Sequence, residues 1–308
     1  MINFVNHADI DKHKWNNCVL LSHFPTFFAD YDLLTLASPQ WHALILNDYE
    51  AVMPLPVKSK FSISYIYTPS FISRLGIFST IHPDNINFQD FISHIPAKFK
   101  HIDLTFNTFL KDSQFRYLHS YQLSLKNHYT TIYTSFSENC KRNIKSAEKQ
   151  LLLYSEDVNT KEIINLFKNN RGREKNIRLR QEDYQLLLQI SDLAASRSLL
   201  DSVAVRNREG DLLAAALFLR DNQKIWFWFS GRSQAHAKTN AMFFLINEYI
   251  KKHAETSTVL DFNGSMNDQI ARFYRGFGSE KYEVPFLQKS STKWKQFIQL
   301  YHYIKNKI

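Results

Sequence analysis

Val259–Leu287 reads VLDFNGSMNDQIARFYRGFGSEKYEVPFL, a strand, a polar loop, a short helix, a glycine-rich turn and a second strand in one run. Val259, Leu260 and Phe262 form an apolar run that stops at Asn263-Gly264, as a buried strand does where the chain must turn. Ile270, Phe273 and Tyr274 recur at i, i+3, i+4, which predicts one amphipathic helix over Asp268–Arg275, ended by Gly276 and Gly278. Tyr282, Val284 and Phe286 alternate with polar residues and predict another strand.

Upstream of that run, the pattern predicts a strand at Leu151–Tyr154 and helices near Thr160–Asn169 and Gln181–Ser196. Three strands follow at Leu200–Arg206, Leu212–Arg220 and Lys224–Ser230, joined by the turn residues Glu209-Gly210-Asp211 and Asp221-Asn222 into an antiparallel meander. A helix over Thr239–His253 then returns the chain to the Val259 strand, a unit whose strands should run parallel. The sum is an α/β fold with a mixed sheet and helices on its faces.

The first half repeats this theme more faintly. Trp15–Leu21 and Thr26–Ala37 are expected as helices, and Trp41–Leu46, Ala51–Val57 and Ser62–Tyr67 as a second meander. A helix near Asn87–Ile95 and strands at Ile102–Phe106 and Gln122–Lys126 complete a divergent copy of the same unit. The expected division is a first domain over 1–127, a second over 128–290 and a terminal helix over 291–308.

At 308 residues and 44% hydrophobic content the chain can fill two cores, and its seven glycines and eight prolines leave no flexible linker between them. Cys18 and Cys140 lie in different halves without zinc-type His/Cys spacing, so a reducing, cytoplasmic setting and no metal are expected. The N-terminus is polar, and no later run is long enough to span a bilayer. The formal charge of +9 is either generic surface charge or the mark of an anionic partner: a nucleotide cofactor, nucleic acid or an acidic membrane surface.

The element order of the second half, with a loop after the third meander strand running into a long helix, resembles the Gcn5-related N-acetyltransferase (GNAT) fold. LDFNGS over 260–265 followed by RFYRGFG over 272–278 is similar to the Asp-Phe-x-Gly run and Phe-x-x-Gly-Phe-Gly turn of the FemABX-like transferases, which carry two such units in tandem. The resemblance implies transfer of an acyl group from acetyl-CoA or another acyl-CoA to an amine acceptor, a small molecule or a precursor, bound between two GNAT-like domains. Its alternatives are an aminoacyl-tRNA donor acting on a cell-wall precursor, and a scaffold that binds an anionic ligand without turnover.

In the fold so resembled, two splayed strands expose backbone groups to the pantetheine amides, and helix-terminal N–H groups take the pyrophosphate. That assigns the donor to Phe229, Ser230, Gly231, Arg232, Ala235, Lys238 and Asn240. The loop is poor in glycine, so Arg232 and Lys238 are either direct phosphate ligands or solvated loop residues. Tyr274 matches the tyrosine that protonates the leaving thiolate in acetyltransferases of this fold, and the same spacing is that of a core residue. In the tRNA-using members a lysine stands at its position; a phenol brings no formal charge there, which favours a thioester donor over tRNA.

Asp261 at the strand end is either the base or orienter of the acceptor amine or a turn residue with Asn263 and Ser265. Residues 171–180 carry five cations, and Arg171, Arg173 and Arg178, with Glu174 as a further candidate base, are the expected acceptor contacts. Lys141, Lys145 and Lys149 at i, i+4, i+8 read as an ordinary solvated helix face. The aromatic run Trp226–Phe229 reads as core, since both faces of its strand should be covered.

Overall fold

The computed structural model describes residues 1–60, 63–82, 85–107, 112–174, 177, 179–264 and 266–290, so the expected terminal helix over 291–308 lies outside the described residues. Two compact units emerge, Met1–Leu118 with the chain from Glu283 onward, and His119–Tyr282.

In the first unit, β1 (Ile2–Asn6) pairs antiparallel with β2 (His42–Leu46), and β2 with β3 (Ala51–Leu55). Helices α1 (Lys12–Leu20) and α2 (Tyr31–Ala37) lie between β1 and β2 in sequence. The helix expected over Thr26–Ala37 is broken at Asp30, whose carboxylate accepts from the amides of Asp32 and Leu33 and so starts a new helix. The strand expected over Ala51–Val57 ends before Pro56, which has no N–H to give a ladder. Beyond it β4 (Val57–Lys60) pairs with β5 (Ile63–Tyr67), while β3 turns instead to β6 (Phe78–Ser79), so the expected meander is two separate hairpins. After α3 (Phe88–Ser93), β7 (His101–Thr105) runs parallel to β5 and antiparallel to the stretch Phe286–Ser290.

β8 (Phe115–Ser124) leads into the second unit, where α4 (Tyr129–Thr134) and α5 (Glu138–Glu148) precede β9 (Leu153–Ser155). Then come α6 (Thr160–Lys168), α7 (Gln181–Ser196) and the strands β10 (Leu200–Arg206), β11 (Leu212–Asp221) and β12 (Lys224–Arg232). These pair antiparallel in the order β9-β10-β11-β12; the β10-β11-β12 meander is the one the turn residues predict, and β9 adds to its edge. Helix α8 (Ala241–His253) crosses over to β13 (Val259–Asp261), which is parallel to β12 and antiparallel to β8, and α9 (Asp268–Gly276) leads to β14 (Glu280–Ser290). The result is the expected α/β fold with a mixed sheet.

Strand alternation explains why this sheet is apolar throughout. Val203, Val205, Ala214, Ala216, Phe218 and Phe227 join one core with Cys140, Ile144, Leu245, Tyr249 and Tyr274 of α5, α8 and α9. The other face is covered by α6 and α7, which pack on β10 to β12. Strands buried on both faces read as continuous hydrophobic runs, and Ile225–Phe229 is one.

Candidate functional site

β12 supplies the opening of the site. Its register with β11 shifts between Leu217 and Phe218, so that Leu217 opposes Phe229, Phe218 opposes Phe227, and Trp228 is the extra residue of a bulge. A bulge sharpens the local twist. On its other edge β12 pairs with β13 only from Lys224–Val259 to Trp226–Asp261. β13 ends there, while β12 runs on to Arg232. Beyond Trp226 β12 runs on without β13 beside it, and its residues Phe227, Ser230, Gly231 and Arg232 line a cavity of about 320 Å³.

That cavity is closed by the first turn of α8, by the 3-10 turn Arg171–Arg173 after α6, and by α9. Asn240 enters α8 with φ of 56° and makes no side-chain cap; its carbonyl takes the Phe243 amide at 2.9 Å, and the Ala241 and Met242 amides before it are the ones that face the space in front of the helix. The loop between β12 and α8 is held by its own side chains where a richer sequence would use glycine. Ser233 Oγ and His236 Nδ1 lie 3.1 Å apart, and Thr239 Oγ1 donates to the His236 carbonyl at 2.7 Å. Gly231 is a packing residue: a Cβ there would stand 2.7 Å from the Phe167 amide nitrogen and 3.0 Å from the Ile163 carbonyl oxygen.

Of the residues expected at the site, Ser230, Gly231, Arg232, Asn240, Arg171 and Glu174 line this one cavity. Arg171 Nε lies 3.8 Å from Glu174 Oε1, and Asn170 Nδ2 donates to the Arg232 carbonyl at 3.0 Å, tying the turn after α6 to the end of β12. Phe229, Ala235, Lys238 and Arg173 are not on its lining. The Phe229 ring packs on Phe167 at 4.8 Å, and Ala235 and Lys238 are exposed. Arg173 donates to Asn169 Oδ1 at 3.3 Å, and Arg178 lies outside the described residues.

Tyr274 is 8% exposed. It stacks on Phe262 at 4.8 Å and meets edge-on Phe227, which lines the cavity, so it stands one ring behind the wall. Burial pushes its phenol up to about 12, and the Arg171 charge opposes that shift. The group is protonated at neutral pH.

Asp261 is 0% exposed, and four donors engage its carboxylate. Ser120 Oγ and the Asn263 amide donate to Oδ1 at 2.9 Å each, Lys224 Nζ to Oδ2 at 3.3 Å, and Tyr282 OH also to Oδ2. A buried carboxylate needs such partners, and with them Asp261 ties β13 to β8, β12 and β14. It is absent from the cavity lining.

His236, Asn170, Met242, Phe243, Gln269 and Phe273 line the cavity without having been expected at the site from sequence. They come from four separate segments, and only the fold brings them together.

Residues 134–279 match the family model described as an acetyltransferase (GNAT) domain. Among solved structures, FemX is similar with a TM-score of 0.64 at 12% identity, covering 90% of this chain and 96% of that one. L-PGS from Bacillus licheniformis is similar with a TM-score of 0.53 at 11% identity, covering 92% of each chain. No curated protein sequence matches. Among the described residues no helix is long and apolar enough to cross a membrane. The end of β12–β13 pairing, a helix start without a side-chain cap and the matched stretch coincide in the second unit, whose residues 134–279 are similar to an acetyltransferase (GNAT) domain, in a chain whose fold is similar to that of FemX.

Proposed function

We propose that this protein transfers an acyl group from an acyl-CoA thioester to an amine acceptor. The observation that carries the reading is that β12 outruns its pairing with β13 after Trp226, beside a cavity of about 320 Å³ capped by the first turn of α8. Free strand backbone suits the amides of a pantetheine arm, and a helix N-terminus with Arg232 beside it suits a pyrophosphate.

In this reading the acceptor nitrogen attacks the thioester carbonyl, and the tetrahedral intermediate collapses with loss of the CoA thiolate. Glu174, the carboxylate on the cavity lining, takes the proton that the acceptor's ammonium must lose before its nitrogen attacks; Tyr274, from behind Phe227, is the proposed source of the proton that the departing thiolate takes up, and Glu174 and the tyrosinate then exchange protons with solvent to restore both groups. Asp261, with its four donors, is a structural anchor for β13 and the turn that follows. Arg171 and Arg173 remain the proposed contacts to an acceptor with negative charge, and Lys238 an outer contact to donor phosphate.

An aminoacyl-tRNA donor is the lesser reading, because a neutral phenol at 274 replaces the lysine that the tRNA-using transferases place there. Native mass spectrometry of the purified chain, with thermal shift in acetyl-CoA against a phosphate control, tests the choice. Retained CoA or stabilisation specific to the thioester supports an acyl-CoA donor; neither, with no thiol release from acyl-CoA, removes it.

A further inference from the structure

A second cavity, of about 510 Å³, opens beside the first and shares Phe243, Gln269 and Phe273 with it. The two are therefore contiguous around the start of α8. Its remaining walls are the first turn of α5, at Ser137 and Asn139, and the outer face of α9, at Arg272 and Arg275. Resting on the acyl-CoA reading above, we infer that this second cavity holds the phosphorylated adenosine end of the donor, with Arg272 and Arg275 on its 3′-phosphate.

Three features of the cavity match that chemistry. Arg272 and Arg275 are three residues apart on α9, which places their side chains as neighbours on one helix face. Both are exposed, and among the described residues no ion pair engages either one. Among the described residues no carboxylate stands on the cavity lining, Asp268 one turn before Arg272 lying outside it, and two adjacent guanidinium groups suit a phosphate dianion, to which each donates in parallel. The acidic side chain at the start of α5 is already spoken for, since Glu138 pairs with Lys141 at 3.1 Å.

The wall shared by the two cavities is aromatic. Phe273 and Phe243 meet edge to face with centroids 4.8 Å apart, and Phe273 meets Phe277 at 5.3 Å. Both shared rings are half-buried and braced, which makes a fixed surface for an adenine to stack on. Across from it, Asn139 accepts from Arg142 Nη2 through Oδ1 at 2.6 Å, leaving its amide N–H groups to donate. Ring, phosphate and hydrogen-bond acceptors of an adenosine 3′-phosphate thus each find a counterpart in one cavity contiguous with the proposed pantetheine site.

Calorimetric titration of the full chain with CoA and with 3′-dephospho-CoA tests the inference. The wild type should bind CoA on the order of tenfold more tightly, as expected for charge-assisted bonds at an exposed site. The double variant Arg272→Ala, Arg275→Ala should bind CoA only as well as dephospho-CoA, whose own affinity should be unchanged, and that constancy shows that the variant is folded. Equal affinity of the wild type for the two ligands, or a double variant that keeps the preference, overturns the subsite and leaves the donor reading standing. No binding of either ligand to the wild type removes both.

Discussion

Gly231 on β12 and Phe167 on α6 approach so closely that a Cβ on the glycine would stand 2.7 Å from the phenylalanine amide nitrogen. The contact sets how near α6 lies to the edge of the cavity. Gly231→Ala must push the helix backbone away, since no flexible side-chain tip can yield. Overpacking of this kind costs about 1–3 kcal/mol, so the variant should melt several degrees lower. It should also lose donor affinity, because the Asn170 bond to Arg232 depends on the same spacing. Unchanged melting and unchanged CoA binding in differential scanning calorimetry and titration would show that the helix moves freely.

Tyr274→Phe removes one oxygen from a ring stacked on Phe262 and leaves the packing intact. With the phenol raised to about 12 by burial, the hydroxyl keeps its proton at neutral pH. If that proton goes to the CoA thiolate, kcat should fall by about 10² while donor affinity and melting temperature hold. An unchanged kcat would return Tyr274 to the core, where its spacing also places it.

Much of the second unit is legible in the sequence because its elements are long and strongly periodic. Gln181–Ser196 and Leu200–Arg206 fall where periodicity and turn residues put them. In the first unit short polar residues decide instead: Asp30 starts a new helix inside an apolar run, and Pro56 splits a strand. β1 escapes notice since Ile2–Asn6 is short, with a burial pattern that lacks clean alternation. At the site, the loop before α8 is visible as a motif, yet the role of Gly231 is not, because its close neighbour lies 64 residues away in sequence (231 − 167). Asp261 has the same difficulty: its partners Ser120 and Tyr282 lie far from it in the chain, so the sequence does not show the network that holds its carboxylate.

Asp261→Asn and Asp261→Ala separate those two roles. Alanine leaves the buried Ser120 hydroxyl and the Tyr282 hydroxyl without their acceptor, while the Lys224 ammonium, a third exposed, turns to water, so the loss should be about 1–3 kcal/mol. Asparagine keeps one acceptor for Ser120 and Asn263 and should cost less. Chemical denaturation should rank the variants wild type, asparagine, alanine, with activity falling only as far as folding does. A fully stable asparagine variant without turnover would instead make Asp261 the acceptor's base.

The alkaline limb of stability carries a further prediction. Burial pushes the Cys18 thiol up to about 11 and that of Cys140 up to about 12, from an ordinary value of 9.0. In this pH range the native state holds protons that the unfolded chain gives up, so unfolding is favoured as pH rises. The contribution is whole below about pH 9 and drains away as pH climbs through the native values. Each thiol should contribute a slope of about 1.4 kcal/mol per pH unit inside that window. Urea melts at pH 8, 9 and 10 should show stability falling across the last step. Cys140→Ala, although less stable at pH 8 because of the cavity it leaves, should lose less between pH 9 and 10 than the wild type. Identical slopes for wild type and variant would mean that the thiol ionises as readily in the folded protein as in the unfolded chain. Iodoacetamide at pH 8 checks the same point from the other side: both cysteines should resist it until denaturant is added.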